Sequence, residues 1–152
     1  MVCVDLKEIN IFNSFTLEKP RSMPCPTGVV SNLDFNYNDT VVAVVSLDGF
    51  VQKYDILSGE KVGESIIDKS FRFSGVAFSR WPLSQTEIAA LSQSERAKSD
   101  LHNNMIYACG SKGPSLLLRC YDNNENMRHE VSFTSLYGGT SISSVVDIIV
   151  PN

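Results

Sequence analysis

The stretch VVAVVSLDGFVQKYDILSGEKV, residues 41–62, decides the fold class. An apolar run over 41–45 is followed by Ser-Leu-Asp-Gly, and a second β-rich run over 50–56 is followed by Leu-Ser-Gly-Glu. Asp48-Gly49 between two β-rich runs predicts a hairpin with a two-residue type I′ loop, because both central residues of that loop need positive φ. The Ser-Gly pair marks the next reversal. The stretch therefore predicts strand, turn, strand, turn and strand.

The composition is that of a folded chain without a strong charge bias. The chain has 152 residues, of which 43% are hydrophobic and 20% charged, and its net charge is −4. These values fit a single globular domain. Nucleic-acid binding is not expected, because it needs clustered Lys and Arg. No apolar run approaches the ~20 residues of a membrane-spanning helix, and no secretory signal pattern opens the chain. We therefore expect an intracellular protein, either cytoplasmic or nuclear, that does not bind membranes.

Two kinds of strand ending recur along the chain. Alternating strands close on an aromatic residue followed by Asn or Asp at Phe12-Asn13, Tyr54-Asp55 and Tyr121-Asp122. Other strands close on Phe followed by a small polar residue, at Phe35 and Phe78. Phe12 to Tyr54 is 42 residues and Phe35 to Phe78 is 43, within the period of ~40–45 residues of a propeller blade. The spacing therefore predicts repeated units of four strands, a to d.

The predicted strands fall into one incomplete unit and two complete ones. The first unit has strands at 1–4, 8–13 and 15–19; the second at 29–35, 40–46, 50–56 and 60–67; the third at 73–79, 105–110, 115–121 and 128–135. The corresponding domain limits are 1–20 for the incomplete blade, 29–67 for the second, 72–136 for the third, and 141–150 for the first strand of the next or closing blade.

An insertion over 83–104 separates strands a and b of the third unit. It is the stretch richest in helix formers, and Ser84 with Glu87 forms a capping box directly after Pro82. We therefore predict a helix at about 84–101. Loops that grow on one face of a repeat array are often its binding devices.

The segment VSNLDFNYNDTVVAVVSLDGFVQKYDILSGEKV, residues 30–62, resembles a WD40 repeat. Phe35 corresponds to the aromatic residue of strand a, and Tyr54-Asp55 stands in place of Trp-Asp at the end of strand c. No Gly-His dipeptide precedes any a strand and no Trp-Asp occurs, so Ser46, Asp48 and Tyr54 supply only part of the family's hydrogen-bond network. The resemblance implies an all-β fold, an incomplete β-propeller of four-stranded antiparallel WD40-like blades. Its blade-structural residues would be Asp48, Gly49, Tyr54, Asp55, Tyr121 and Asp122.

The number of blades leaves three possibilities open. The strands amount to about three blades, whereas closed propellers have about four to eight. Either the chain is a fragment of a longer protein, or two copies associate into a six-bladed ring, or a partner donates the missing blades. Of these, a fragment of a longer protein is the possibility we expect.

The expected function is a non-enzymatic scaffold for protein–protein interactions. The two histidines and four cysteines form no zinc pattern, so we expect no catalytic residue, no metal and no cofactor. Phe71, Arg72, Arg80 and Trp81 precede the insertion and are of the residue types enriched at binding hot spots, so they are the predicted partner-binding residues. Two alternatives remain: a ligand-binding or enzymatic propeller closed by dimerisation, and a non-propeller β-sandwich interaction module.

Overall fold

The computed structural model describes residues 2–4, 8–19, 21–24, 29–79 and 105–133. The elements of this part of the chain are β-strands, numbered in chain order. They are β1 (Val2–Val4), β2 (Glu8–Ile11), β3 (Arg21–Pro24), β4 (Val30–Phe35), β5 (Val41–Ser46), β6 (Phe50–Asp55), β7 (Lys61–Ile67), β8 (Arg72–Phe78), β9 (Ile106–Lys112), β10 (Ser115–Tyr121) and β11 (Met127–Ser132).

The strands form three antiparallel sheets in which consecutive strands pair. Sheet 1 contains β1 to β3, sheet 2 contains β4 to β7, and sheet 3 contains β8 to β11. The predicted all-β class and the two four-stranded antiparallel units are therefore confirmed. The described residues do not form a closed ring.

Sheet 2 lies between the other two, and its strands β5 and β6 are buried on both faces. Val42 and Val44 pack with Ile9 and Met23 of sheet 1, whereas Ala43 and Val45 pack in the core shared with sheet 3. Side chains alternate across a strand, so a strand covered on both faces needs apolar residues at every position. This double burial explains the unbroken apolar run of β5.

The edge strands β4 and β8 run side by side in the same direction. The Ser31 hydroxyl donates a hydrogen bond of 2.6 Å to the Phe73 carbonyl, 42 residues further along the chain. The amide of Phe78 donates a bond of 2.9 Å to the Asp34 carboxylate, across 44 residues. The two contacts join corresponding ends of the two strands, so the sequence period of 42 to 43 residues is also the step from sheet 2 to sheet 3.

The prediction of a strand at 15–19 was wrong, because these residues belong to a turn. The third strand of sheet 1 is β3, which pairs with β2. The Asn13 carboxamide oxygen accepts hydrogen bonds from the amides of Phe15 and Thr16, and Leu17 has a φ of 59°. A side chain that bonds amides two and three residues onward favours a turn over an extended strand. Sheet 1 therefore extends to Pro24.

The hairpin between β5 and β6 has a three-residue loop, so the predicted two-residue type I′ loop was wrong. Ser46 lies opposite Phe50, and Gly49, with a φ of 82°, is the loop residue at positive φ. Three-residue loops with glycine in the left-handed position are a common alternative. A Cβ on Gly49 would meet the Asp68 carbonyl oxygen at 1.9 Å. Glycine is therefore required here both by φ and by close backbone approach.

Several predictions concern residues outside the described part of the chain. These are the helix at about 84–101 with its insertion over 83–104, the strand at 141–150, and the partner-binding residues Arg80 and Trp81.

Candidate interaction surface

Strand c of the three units corresponds to β2, β6 and β10. The same position of this strand holds a buried polar side chain in all three sheets. Asn10, Gln52 and Arg119 each lie two residues before the aromatic residue that marks the repeat, and each is less than 10% exposed. Each bonds to the neighbouring strand d: Asn10 accepts from Ser22 at 3.1 Å, Gln52 accepts from Ser65, and the Arg119 Nε donates to Glu130 at 2.7 Å. The bonds satisfy groups whose burial would otherwise be costly.

Arg119 also joins sheet 3 to sheet 2. Its Nη1 lies 2.9 Å from the Asp68 carboxylate, just past the end of β7, and its guanidinium carbon lies 4.1 Å from the centroid of the Phe71 ring. Burial alone would lower the pKa of Arg119, but the bonds to Asp68 and Glu130 outweigh it and raise that pKa. The Ser70 hydroxyl and then Arg119 lower the pKa of Asp68 to about 2. Both groups therefore stay charged at neutral pH.

A second ion pair joins the same two sheets at their other end. The Lys53 ammonium on β6 lies 2.6 Å from the Glu125 carboxylate in the loop between β10 and β11, and it donates to the Asn123 carbonyl at 3.2 Å. The side chains of Lys53 and Glu125 are 3% and 9% exposed. Gly63 makes room for this pair, since a Cβ there would approach the Glu125 carboxylate to 2.3 Å. Lys53 and Glu125 therefore fix how sheets 2 and 3 meet.

The Asn or Asp after each repeat aromatic closes the turn into strand d. The Asp55 carboxylate accepts from the Ser58 amide at 2.6 Å, and the Asp122 carboxylate accepts from the amides of Asn124 and Asn126 at 2.9 Å. The Ser58 amide is the main cause that lowers the pKa of Asp55. Burial would raise the pKa of Asp122, but bonds from its own loop and from Arg128 lower it. Asn13 does the same in sheet 1, so the repeat marker is a turn-closing residue.

Tyr54, Tyr121 and Phe71 are core residues. Tyr54 is fully buried and donates through its hydroxyl to the Pro24 carbonyl at 3.0 Å, and Tyr121 is buried beside Arg119. Phe71, predicted as a partner-binding residue, is 0% exposed and lies 4.4 Å from the Phe73 ring. Phe71 fills the space between sheets 2 and 3 under the Arg119 guanidinium. Its role in partner binding stays a prediction.

Asp48 and Arg72 are exposed and line a groove at one end of sheet 2. The groove has a volume of about 720 Å³ and opens where the β5–β6 and β7–β8 connections meet. Ligand pockets commonly occupy ~300–1,000 Å³. Its lining residues are Leu47, Asp48, Phe50, Ile67, Lys69 and Arg72.

Of these six residues, the sequence analysis predicted Arg72 as partner-binding and named Asp48 only as blade-structural. Phe50 and Ile67 lie opposite each other on β6 and β7, and both connections lie at the same end of an antiparallel meander. That topology was a usable signal: once the four strands of sheet 2 are placed, Lys69 must lie at the same end as Asp48. The apolar residues carried no separate signal, because each fits an ordinary strand.

A smaller cavity of about 270 Å³ lies on sheet 3 and includes Cys120 and His129. These two residues face each other on β10 and β11. Burial raises the pKa of Cys120, and a hydrogen bond with Tyr107 only partly opposes this. A reactive cysteine needs a lowered pKa. The thiol is therefore neutral at physiological pH.

No family model matches the chain, and a search of curated proteins also found no match. Within the described ranges, no group of three or more His, Cys, Asp or Glu is placed to hold a metal ion. The same part of the chain contains no helix long and apolar enough to cross a membrane.

Proposed function

We propose that the chain is a non-enzymatic scaffold for protein–protein interactions, built as part of a WD40-like propeller. The observation that carries the proposal is the groove on sheet 2: exposed Ile67, Lys69 and Arg72 line a concave surface at the end of two sheets locked together by ion pairs. Binding residues concentrate on connections that a rigid framework positions. The buried charges serve that framework, and the exposed ones are left for partners.

The repeated geometry supports the propeller over a β-sandwich. Sheets 2 and 3 have the same strand order, and β4 and β8 lie parallel with a step of 42 to 44 residues. A chain of about three blades is suited to self-association or to accepting blades from a partner. The partners we propose are proteins, not nucleic acid or membranes, because the net charge is −4. We place the protein inside the cell, in cytoplasm or nucleus.

The alternative is an enzymatic or ligand-binding propeller, and the Cys120–His129 cavity is the observation that favours it. The raised pKa of Cys120 weighs against this alternative. The rate of thiol alkylation between pH 6 and 9 separates the two: the scaffold predicts slow modification that rises only at the alkaline end. A fast reaction at pH 6 to 7, abolished in Cys120→Ser but not in Cys109→Ser, would favour the enzyme.

The test of the scaffold function is capture followed by reconstitution. The immobilised full-length chain is incubated with cell extract at physiological salt, beside a Phe73→Asp variant in which the shared core is disrupted. The scaffold predicts proteins retained by the wild type alone, at least one of which forms a stoichiometric complex with the purified chain in size exclusion with light scattering. If every retained protein is also held by Phe73→Asp, or none forms a defined complex, the proposal fails. Size exclusion with light scattering of the purified chain without partners measures its mass and so tests self-association.

A further inference from the structure

The groove on sheet 2 exposes an apolar side chain where a ligand could cover it. Ile67 is 63% exposed, although it lies directly opposite Phe50, which is only 7% exposed. Leu47 lines the same groove. Single exposed apolar residues are common on protein surfaces. Ile67 differs because it lies within a concavity, where one apolar side chain of a ligand would contact both Ile67 and Phe50.

Two cations lie beside this apolar surface and are not neutralised there. Lys69 and Arg72 are exposed, and neither forms an ion pair with a residue of the described part of the chain. Asp68, the residue before Lys69, already forms an ion pair with Arg119. Lys69 and Arg72 therefore keep their capacity to bind carboxylates of a ligand.

The remaining charge in the groove is Asp48. It is exposed and has no cationic partner within 4 Å in the described residues. The described residues that line the groove therefore carry two positive charges and one negative charge, on a chain whose net charge is −4. A local positive excess on an acidic protein selects for anionic ligands at this surface.

We propose that this groove binds an acidic peptide segment of a partner protein. An apolar side chain of the peptide packs on Ile67 and Phe50, and its carboxylates pair with Lys69 and Arg72. Asp48 repels carboxylates on its side of the groove and thereby restricts where the acidic residues of the peptide can lie. This inference rests on the proposed scaffold function and assigns it a surface and a ligand class.

Three fluorescein-labelled peptides of equal length test the ligand class. The first alternates Phe and Leu with Asp and Glu; the second has Lys in place of every acidic residue; the third keeps the acidic residues and has Gly in place of Phe and Leu. Fluorescence anisotropy with the full-length chain measures their binding. We expect the first peptide to bind at least tenfold more tightly than the other two, and more weakly as salt rises. Equal binding of the first and second, or of the first and third, would overturn the proposal.

Surface variants test the location, and they leave the core untouched because each replaced side chain is exposed. Lys69→Ser combined with Arg72→Ser should weaken the first peptide by about tenfold, since each exposed ion pair accounts for about threefold. Ile67→Ser should weaken it by a similar factor through lost apolar contact. Lys61→Ser, at the far end of β7, is the matched control and should leave affinity unchanged. A control that weakens binding as much as the double variant would overturn the location.

Asp48→Asn gives a result that a merely damaged fold cannot give. Removing the like charge should tighten the acidic peptide by about threefold and leave the Gly-containing peptide weak. Unchanged or weaker binding of the acidic peptide would contradict the proposed role of Asp48.

The capture experiment separates the two proposals. If wild type and the variant with both Lys69→Ser and Arg72→Ser retain the same partners, the groove proposal fails and the scaffold proposal stands. If no partner is retained by the wild type, the scaffold proposal itself fails.

Discussion

Sheets 2 and 3 place different side chains at the same position of strand c, and the two side chains do different work. Gln52 bonds within its own sheet, to Ser65, to the Lys53 carbonyl at 2.8 Å and to the Val62 carbonyl at 3.4 Å. Arg119 bonds Glu130 in its own sheet but also reaches Asp68 beyond the end of sheet 2. A longer, charged side chain thus turns a bond that closes a sheet into one that also joins two sheets.

The comparison teaches where the specificity of assembly lies. Apolar cores tolerate changes of shape provided that volume is kept, whereas a buried ion has few positions in which it is satisfied. Sheets 1 and 2 meet through an apolar core that includes Ile9, Met23 and Tyr54. Sheets 2 and 3 meet through a larger core plus two ion pairs. We infer that the second junction is the one fixed in a unique geometry.

The largest effect is expected when Arg119 is made like its counterpart in sheet 2. Arg119→Gln leaves Asp68 and Glu130 without their cation and uncovers Phe71. The free energy of unfolding should therefore fall by about 3 kcal/mol. Urea denaturation followed by circular dichroism measures it. Arg128→Gln, at an exposed guanidinium, is the control and should cost far less. A loss below about 1 kcal/mol for Arg119→Gln would mean that the core alone holds the junction.

Gly63→Ala should be the next most damaging change. It places a Cβ at a φ of 70° and against the Glu125 carboxylate, which Lys53 holds in place. Gly113→Ala is the matched control, because it has a φ of 59° and nothing within 4 Å of the added Cβ. Both variants bear the cost of left-handed backbone, about 1–2 kcal/mol. Any excess loss of stability in Gly63→Ala reports the contact with Glu125, and equal losses would refute that contact.

A smaller effect is expected when the polar residue of sheet 2 is replaced. Gln52→Met keeps the volume but removes the partner of the Ser65 hydroxyl, at a cost of about 1 kcal/mol. Because Gln52 bonds only within sheet 2, hydrogen exchange should rise in β6 and β7 and stay unchanged in β9 and β10. Arg119→Gln should instead raise exchange in both sheets. Identical exchange patterns in the two variants would contradict the claim that Gln52 acts within one sheet and Arg119 across two.

The smallest effect is a loss of stability in acid that depends on Asp68. Its folded pKa of about 2 lies below the ordinary value of 3.8, so its contribution is complete above pH 4 and disappears as the pH falls through 2. Wild type should therefore lose more stability between pH 4 and pH 2 than Asp68→Asn, measured as the shift of the urea midpoint. Parallel pH profiles would show that neither Ser70 nor Arg119 holds the pKa of Asp68 down in the folded chain.

The strands of sheets 2 and 3 could be predicted from the sequence because local signals agreed there. The apolar run of β5, the turn residues after it and the aromatic-Asp endings all point to the same boundaries. At residues 15–19 the repeat pattern misled, since it called for a d strand directly after strand c, whereas the Asn13 carboxamide bonds a turn there. The type I′ assignment failed for a related reason: Asp48-Gly49 does not reveal that Leu47 joins the loop.

The interaction surface could be predicted only in part. Arg72 and Asp48 were found by residue type and turn pattern, but Phe71 has the composition of a hot spot and the burial of a core residue. The burial of Lys53 and Arg119 could not be predicted, because a polar residue in an alternating strand suggests an exposed position. Their partners are contributed by distant segments, and Glu125 is 72 residues from Lys53. Such pairs are set by how sheets meet, which no local pattern contains.

The connection between β8 and β9 begins and ends like the short one between β4 and β5. The amide of Asn36 donates to the Val41 carbonyl at 2.9 Å, and the amide of Ser79 donates to the Met105 carbonyl at 2.8 Å. Residues 37–40 fill the first interval and 80–104 the second. Lengthening a loop from 4 to 25 residues costs only about 1.6 kcal/mol of closure entropy. The interval between β8 and β9 therefore tolerates added length, and a reporter domain inserted there should leave both sheets intact.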